Sequence, residues 1–141
     1  MLDDTPTDVP ARLAIVTGRL NRRLRPANGK LSHGLLSALA TISKQGPLRL
    51  AELAQLETVS APSTTRLVSE LEAKGLVSRE PDPADGRAIL LSITPEGEMA
   101  VAAARAARAE MVAELFTSLD TGEIAAVAAA VPALEKAMAR F

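Results

Sequence analysis

The chain has 141 residues, 48% of them hydrophobic, with sixteen Lys/Arg against seventeen Asp/Glu and a net charge of −1. That length suits a single domain with a real core, and the absence of cysteine excludes a disulfide framework or a thiol switch. One histidine, His33, argues against a histidine-rich metal site, and no cofactor is expected.

The opening stretch Met1-Leu2-Asp3-Asp4-Thr5-Pro6 is acidic and has no apolar run, so neither a signal peptide nor membrane attachment is expected, and the location is read as cytoplasmic. Val9, Leu13, Val16, Leu20 and Leu24 then recur at spacings of three and four, which predicts a first helix that Pro26-Ala27-Asn28-Gly29 breaks. Ser32 should cap a second helix bearing Leu35, Leu36, Leu39 and Ile42, ending near Gly46-Pro47. His33, beside that cap, reads as a surface residue.

A short helix is predicted from Leu50 to Glu57, followed by the turn Thr58-Val59-Ser60. Ser60 is a fit N-cap for the next helix, where Pro62 is tolerated because the first turn makes no use of its N–H. Leu67, Val68 and Leu71 form the inward face, leaving Ser63, Thr64, Thr65 and Arg66 outside, and Gly75 ends the helix. Two β-like runs, 76–80 and 88–93, flank the turn-rich Pro81-Asp82-Pro83-Ala84-Asp85-Gly86, where Asp-Gly permits a tight reversal. Arg87 would then stand at the tip of a narrow β-finger, with Asp85 either holding its guanidinium by a charge-assisted bond or serving simply as a turn residue. Arginine at such a tip suits the negative potential of a minor groove. Small hydroxyls and one arginine at a helix N-terminus suit close approach to base edges in a major groove.

Thr94 should cap a long helix from Pro95 to about Leu119, and Asp120-Thr121-Gly122 separates it from a last one. In that last helix Ile124, Val127, Val131, Leu134, Met138 and Phe141 fall three and four apart, a heptad-like seam interrupted only by Pro132, which bears on its straightness. One small domain cannot bury this seam and the first helix together, so a second copy of the chain is the expected partner.

Three stretches carry a family resemblance: Ala51-Glu52-Leu53-Ala54, Leu71-Glu72-Ala73-Lys74-Gly75-Leu76-Val77-Ser78-Arg79, and Asp85-Gly86-Arg87 running on to Leu91-Ser92-Ile93-Thr94-Pro95-Glu96-Gly97. The chain resembles the MarR family of winged helix-turn-helix transcriptional regulators along nearly its whole length. The resemblance implies a mainly α fold with a small β-hairpin wing, in one domain spanning 1–141. Residues 9–25 and 95–141 would supply dimerisation helices and 31–94 the DNA-binding lobe, with its recognition helix at about 60–74 and its wing at about 76–93. It further implies a homodimeric repressor of a pseudo-palindromic, double-stranded DNA operator, released by a small-molecule effector. The DNA-binding candidates are Ser60, Pro62, Ser63, Thr64, Thr65, Arg66, Asp85 and Arg87.

Leu13, Val16, Arg12, Leu36, Leu39, Met111 and Leu115 could wall an effector cleft but are more economically core, so no ligand site is assigned; with only Phe116 and Phe141 aromatic, an effector would be held mainly by aliphatic contact. Charge cuts against simple DNA attraction, since residues 46–97 hold five cations against eight acids. Recognition must rest on where the cations sit, with a modest salt dependence, and the alternative is a winged-helix module that binds protein instead. An enzyme is not expected: there is no Cys or Tyr, no glycine-rich phosphate loop and no nucleophile with a base in reach.

Overall fold

The computed structural model describes residues 8–140, so the acidic opening stretch Met1 to Pro6 and Phe141, the last position of the seam, lie outside it. The elements in order are α1 (Val9–Leu24), a 3-10 turn (Arg25–Asn28), α2 (His33–Gln45), β1 (Leu48–Arg49), α3 (Leu50–Glu57), α4 (Ala61–Ala73), β2 (Val77–Pro81), β3 (Ile89–Ile93), α5 (Pro95–Phe116) and α6 (Thr121–Met138). The fold is mainly helical with one small antiparallel sheet, as the residue pattern predicts. It divides into two compact units, one ending at Arg108 and one starting at Ala109.

The first unit is organised around α2. Ser32 caps it by accepting from the Leu35 amide at 3.2 Å, and Leu35, Leu39 and Ile42 pack with Leu53 of α3, Val68 and Leu71 of α4, and Val101 of α5. Glycine is required where α2 ends, because a Cβ on Gly46 would lie 2.4 Å from the Ile42 carbonyl oxygen. Beneath α2, Glu57 accepts from the hydroxyls of Ser37 at 2.7 Å and Thr41 at 2.5 Å, tying α3 to it. The buried Asn28 accepts from the Arg108 guanidinium at 3.1 Å, which satisfies its carbonyl oxygen.

The sheet has the order β1-β3-β2. Its two long strands run as an antiparallel hairpin from Val77↔Ile93 to Pro81↔Ile89. The third strand, only two residues long, escapes the sequence pattern because no alternation can show in two positions; Leu48 pairs with Leu91 and Arg49 with Leu90. Thr94 caps α5 by accepting from the Gly97 amide at 3.0 Å, and its own hydroxyl donates to the Gly75 carbonyl at 2.7 Å.

The second unit holds the end of α5 and all of α6. The helix α5 stops at Phe116, slightly short of Leu119, as Thr117, Ser118 and Leu119 tighten into turns. A reciprocal cap opens α6, in which Asp120 accepts from the Glu123 amide at 2.8 Å and Glu123 accepts from the Asp120 amide at 2.9 Å. The helix runs on through Pro132.

Candidate nucleic-acid interface

The second helix of the helix-turn-helix, α4, starts with its hydroxyls already engaged. Ser60 accepts from the Ser63 amide at 3.4 Å and donates to the Ser63 hydroxyl at 3.0 Å, as an N-cap should. Thr65 donates to the Ala61 carbonyl at 3.0 Å but remains exposed, as does Pro62. Thr64 does not face outward as expected. It is 1% exposed, because it lies on the same helical stripe as Val68 and Leu71, and its hydroxyl is satisfied at 2.9 Å by the Ser60 carbonyl four residues back. Thr64 therefore belongs to the core, and Leu67 is only half-buried.

Arg66 is exposed on this helix, with no hydrogen bond or ion pair among the described residues, and Glu70 four residues on does not hold it. The helix ends as Gly75 predicts. Its φ is +73°, its amide donates to Glu72 at 2.9 Å, and the Leu76 amide donates to Leu71 at 3.0 Å. The preceding turn is less orthodox: Thr58, not a glycine, takes the left-handed conformation at φ 55° and ψ 42°.

The wing loop is not the two-residue Asp-Gly reversal the sequence suggests. Two successive turns are stacked, with the Asp85 amide donating to Asp82 at 3.2 Å and the Ala88 amide to Asp85 at 2.9 Å. Each begins with an aspartate whose carboxylate accepts a nearby amide: Asp82 from Ala84 at 2.9 Å, and Asp85 from Arg87 at 3.1 Å. Gly86 keeps out of the left-handed region, because side-chain turns replace the conformation it was expected to supply. Asp85 therefore fixes the backbone of Arg87 and does not hold its guanidinium, which extends exposed and unpaired among the described residues.

Two arginines that the sequence reading gave no role of their own prove structural. Arg49 of β1 pairs with Asp82 at 2.8 Å, and Arg79 of β2 pairs with Glu72 and reaches Ser69 on α4. The Ala84 amide, then the Arg49 guanidinium, hold the Asp82 carboxyl below the usual carboxylate range, and Asp82 in turn raises Arg49. Sequence distance hid this pair, since 33 residues separate its members.

Of the effector-wall candidates, Leu36 and Leu39 are core, whereas Leu13, Val16 and Leu115 are exposed and not buried as expected. A separate cavity of about 220 Å³ opens between α2 and α5, lined by Leu36, Ala40, Val101 and Ala104 with His33, Arg105 and Arg108. No group of three or more potential metal ligands occurs among the described residues. No helix there is long and apolar enough to cross a membrane.

A helix-turn-helix followed by a β-hairpin with an arginine near its tip defines a winged-helix protein. A model of the MarR family matches residues 31–89. Over 122 residues the chain is 38% identical to the HTH-type transcriptional regulator Mb0904 of Mycobacterium bovis, with 85% of each chain covered. It is 32% identical over 89 residues to the transcriptional repressor MdtR of Bacillus subtilis, which covers 63% of this chain and 57% of that one. A MarR family protein from Bacillus stearothermophilus shares the fold with a TM-score of 0.81 over 99% of both chains, at 23% identity. The chain belongs to the MarR family of transcriptional regulators, which are not enzymes.

Proposed function

We propose that the protein is a homodimeric, sequence-specific repressor that acts in the cytoplasm on a pseudo-palindromic DNA operator. The observation that carries this reading is the contrast among the four arginines of residues 46–97. Arg49 and Arg79 are paired, whereas Arg66 on α4 and Arg87 on the wing stand exposed with no partner among the described residues. With only five cations in residues 46–97, these two are the arginines left available to meet DNA. Arg66 would read the major groove with Ser63 and Thr65 beside it, while Ser60 and Pro62 start the helix at the phosphates. Arg87 would enter the adjacent minor groove from a loop that Asp85 shapes. The repressor role is supported by the likeness to MdtR.

The exposed apolar stripes on α1 and α6 support the dimer, which would set two recognition helices about one turn of DNA apart. A small-molecule effector would act by favouring a dimer spacing that misfits the operator. The cavity between α2 and α5 offers the aliphatic walls for it.

Fluorescence anisotropy against DNA upstream of the protein's own gene, with a scrambled duplex at two salt concentrations, tests the reading. Preferential binding that persists at the higher salt is expected, and Arg87→Ala should cost about 1–3 kcal/mol of operator affinity with the dimer intact. Equal, salt-labile binding to both duplexes would favour the protein-binding alternative, for which the acid excess in residues 46–97 speaks.

A further inference from the structure

Several elements at the base of the wing converge on one carboxylate. Asp82 follows directly on β2; one of its oxygens accepts from the Arg49 guanidinium at 2.8 Å and the other from the Ala84 amide at 2.9 Å. Its backbone is engaged as well, the amide donating to the Ala88 carbonyl at 2.9 Å and the carbonyl accepting from Asp85 at 3.2 Å. Arg49 belongs to β1, which lies on the opposite edge of the sheet from β2, with β3 between them. The register sets Arg49 and Glu80 both level with Leu90. The guanidinium thus spans the middle strand to close on the loop that leaves the far one. Although the loop around it is solvated, the Asp82 side chain is only 12% exposed. Arg49 also stands directly before Leu50, where the helix-turn-helix begins.

We propose that Arg49 and Asp82 are positioning residues for DNA recognition, their ion pair strapping the wing to the strand that leads into α3 and so fixing where Arg87 is presented. The inference rests on the DNA-binding reading above. Charge alone predicts the opposite behaviour. An acid beside phosphates repels them, so removing a bystander Asp82 would tighten binding. Removing a strap loosens it. The two readings differ in sign.

The test begins by letting the wild-type protein select a duplex of about three helical turns from a random library, long enough for two half-sites one turn apart. Against that duplex, Asp82→Asn and Arg49→Ala should each bind about tenfold more weakly, the scale of one charge-assisted hydrogen bond. The double variant should be no weaker than either single one. In an Arg87→Ala background Asp82→Asn should have no further effect, since the wing then has nothing to place. Arg49→Lys, which keeps the charge, should recover part of the loss. In the free protein, hydrogen exchange at the Ala84 and Arg87 amides should quicken in Asp82→Asn while α4 stays protected, which also shows that the variant is folded. Equal or tighter binding by Asp82→Asn, or a loss that adds to that of Arg87→Ala, overturns the proposal. So does a salt slope lowered by about one in Arg49→Ala, persisting in the Asp82→Asn background, because Arg49 would then be a phosphate contact itself. If the wild type selects no duplex, it is the DNA-binding reading that has failed. Unchanged wing exchange in Asp82→Asn, by contrast, sinks the strap whatever the DNA result.

Discussion

Helices α2 and α6 carry comparable apolar runs, yet α2 buries Leu35, Leu36, Ala38, Leu39 and Ile42, whereas α6 buries no residue. On α6, Ile124, Val127, Val131 and Leu134 are each between 37% and 43% exposed and Met138 is 67% exposed; on α1, Val9, Ile15 and Val16 are near 60%. The winged lobe closes its own core, with polar atoms such as those of Glu57 and Asn28 accounted for inside it. On α1 and on α6, these apolar side chains are exposed among the described residues. On the proposed reading, the part that would meet DNA is packed within one copy, whereas the helices that would pair two copies keep their apolar faces exposed.

The comparison breaks most readily at α6. If the seam is the dimer interface, Val127→Asp combined with Val131→Asp should weaken self-association by at least about 3 kcal/mol, because a two-fold interface counts each change twice. Sedimentation should then show monomers, with the circular dichroism of the lobe retained. Dimers surviving both substitutions would remove α6 from the interface. The lobe should respond in the other way, through its own stability. A Cβ on Gly97 would fall 2.2 Å from the Leu76 carbonyl oxygen and 2.6 Å from Ile93 Cγ1, so Gly97→Ala should cost about 2 kcal/mol or more in denaturant melts.

A smaller effect of opposite sign is expected at Thr58. Relieving its left-handed backbone with Thr58→Gly should stabilise by about 0.5–1 kcal/mol, the steric penalty less the freedom gained by the unfolded chain. A lower melting point in that variant would show that the threonine side chain contributes more than its backbone costs.

The smallest effect concerns acid. Asp82 is held below its ordinary value by the Ala84 amide and then by Arg49, with desolvation opposing both; Asp85 and Glu52 are the other charges acting on Arg49. A depressed carboxyl stabilises above its unfolded value and loses that contribution as pH falls through the lower folded one. The Ala84 amide resonance should thus stay constant from neutrality down to about pH 5 and titrate with a midpoint below about 3.9. A midpoint at or above that value would contradict the ion pair.

The boundaries of α4 could be read from Ser60 and Gly75, and the unburied seam of α6 from its three-and-four spacing, because caps and periodicity are local signals. What escaped depended on distance or context. The strand β1 has no period to detect. The Arg49–Asp82 pair exists only because the sheet order sets β1 and β2 on either side of β3. Thr64 resembles its exposed hydroxyl neighbours in composition, and only the helical stripe it shares with Val68 and Leu71 turns it inward. Asp85 acts as a turn residue that accepts the Arg87 amide, and spacing alone cannot choose between that donor and the guanidinium.

The hydroxyl of Thr94 is a joint with two arms. One holds the first turn of α5 at Gly97, the other holds the carbonyl of Gly75 just past the end of α4, and the Thr94 amide reinforces it by donating to Leu76 at 3.0 Å. With no Cβ on Gly97 to keep the chains apart, the start of one helix and the exit of the other meet with almost no slack. The first turn of α5 is thus tied to the exit of α4 by both the hydroxyl and the amide of Thr94 and by the close approach at Gly97, so that a twist of one is felt by the other. If α4 seats on DNA as proposed, reciprocity of coupled binding requires that any ligand held at the start of α5 and the DNA change each other's affinity by the same factor.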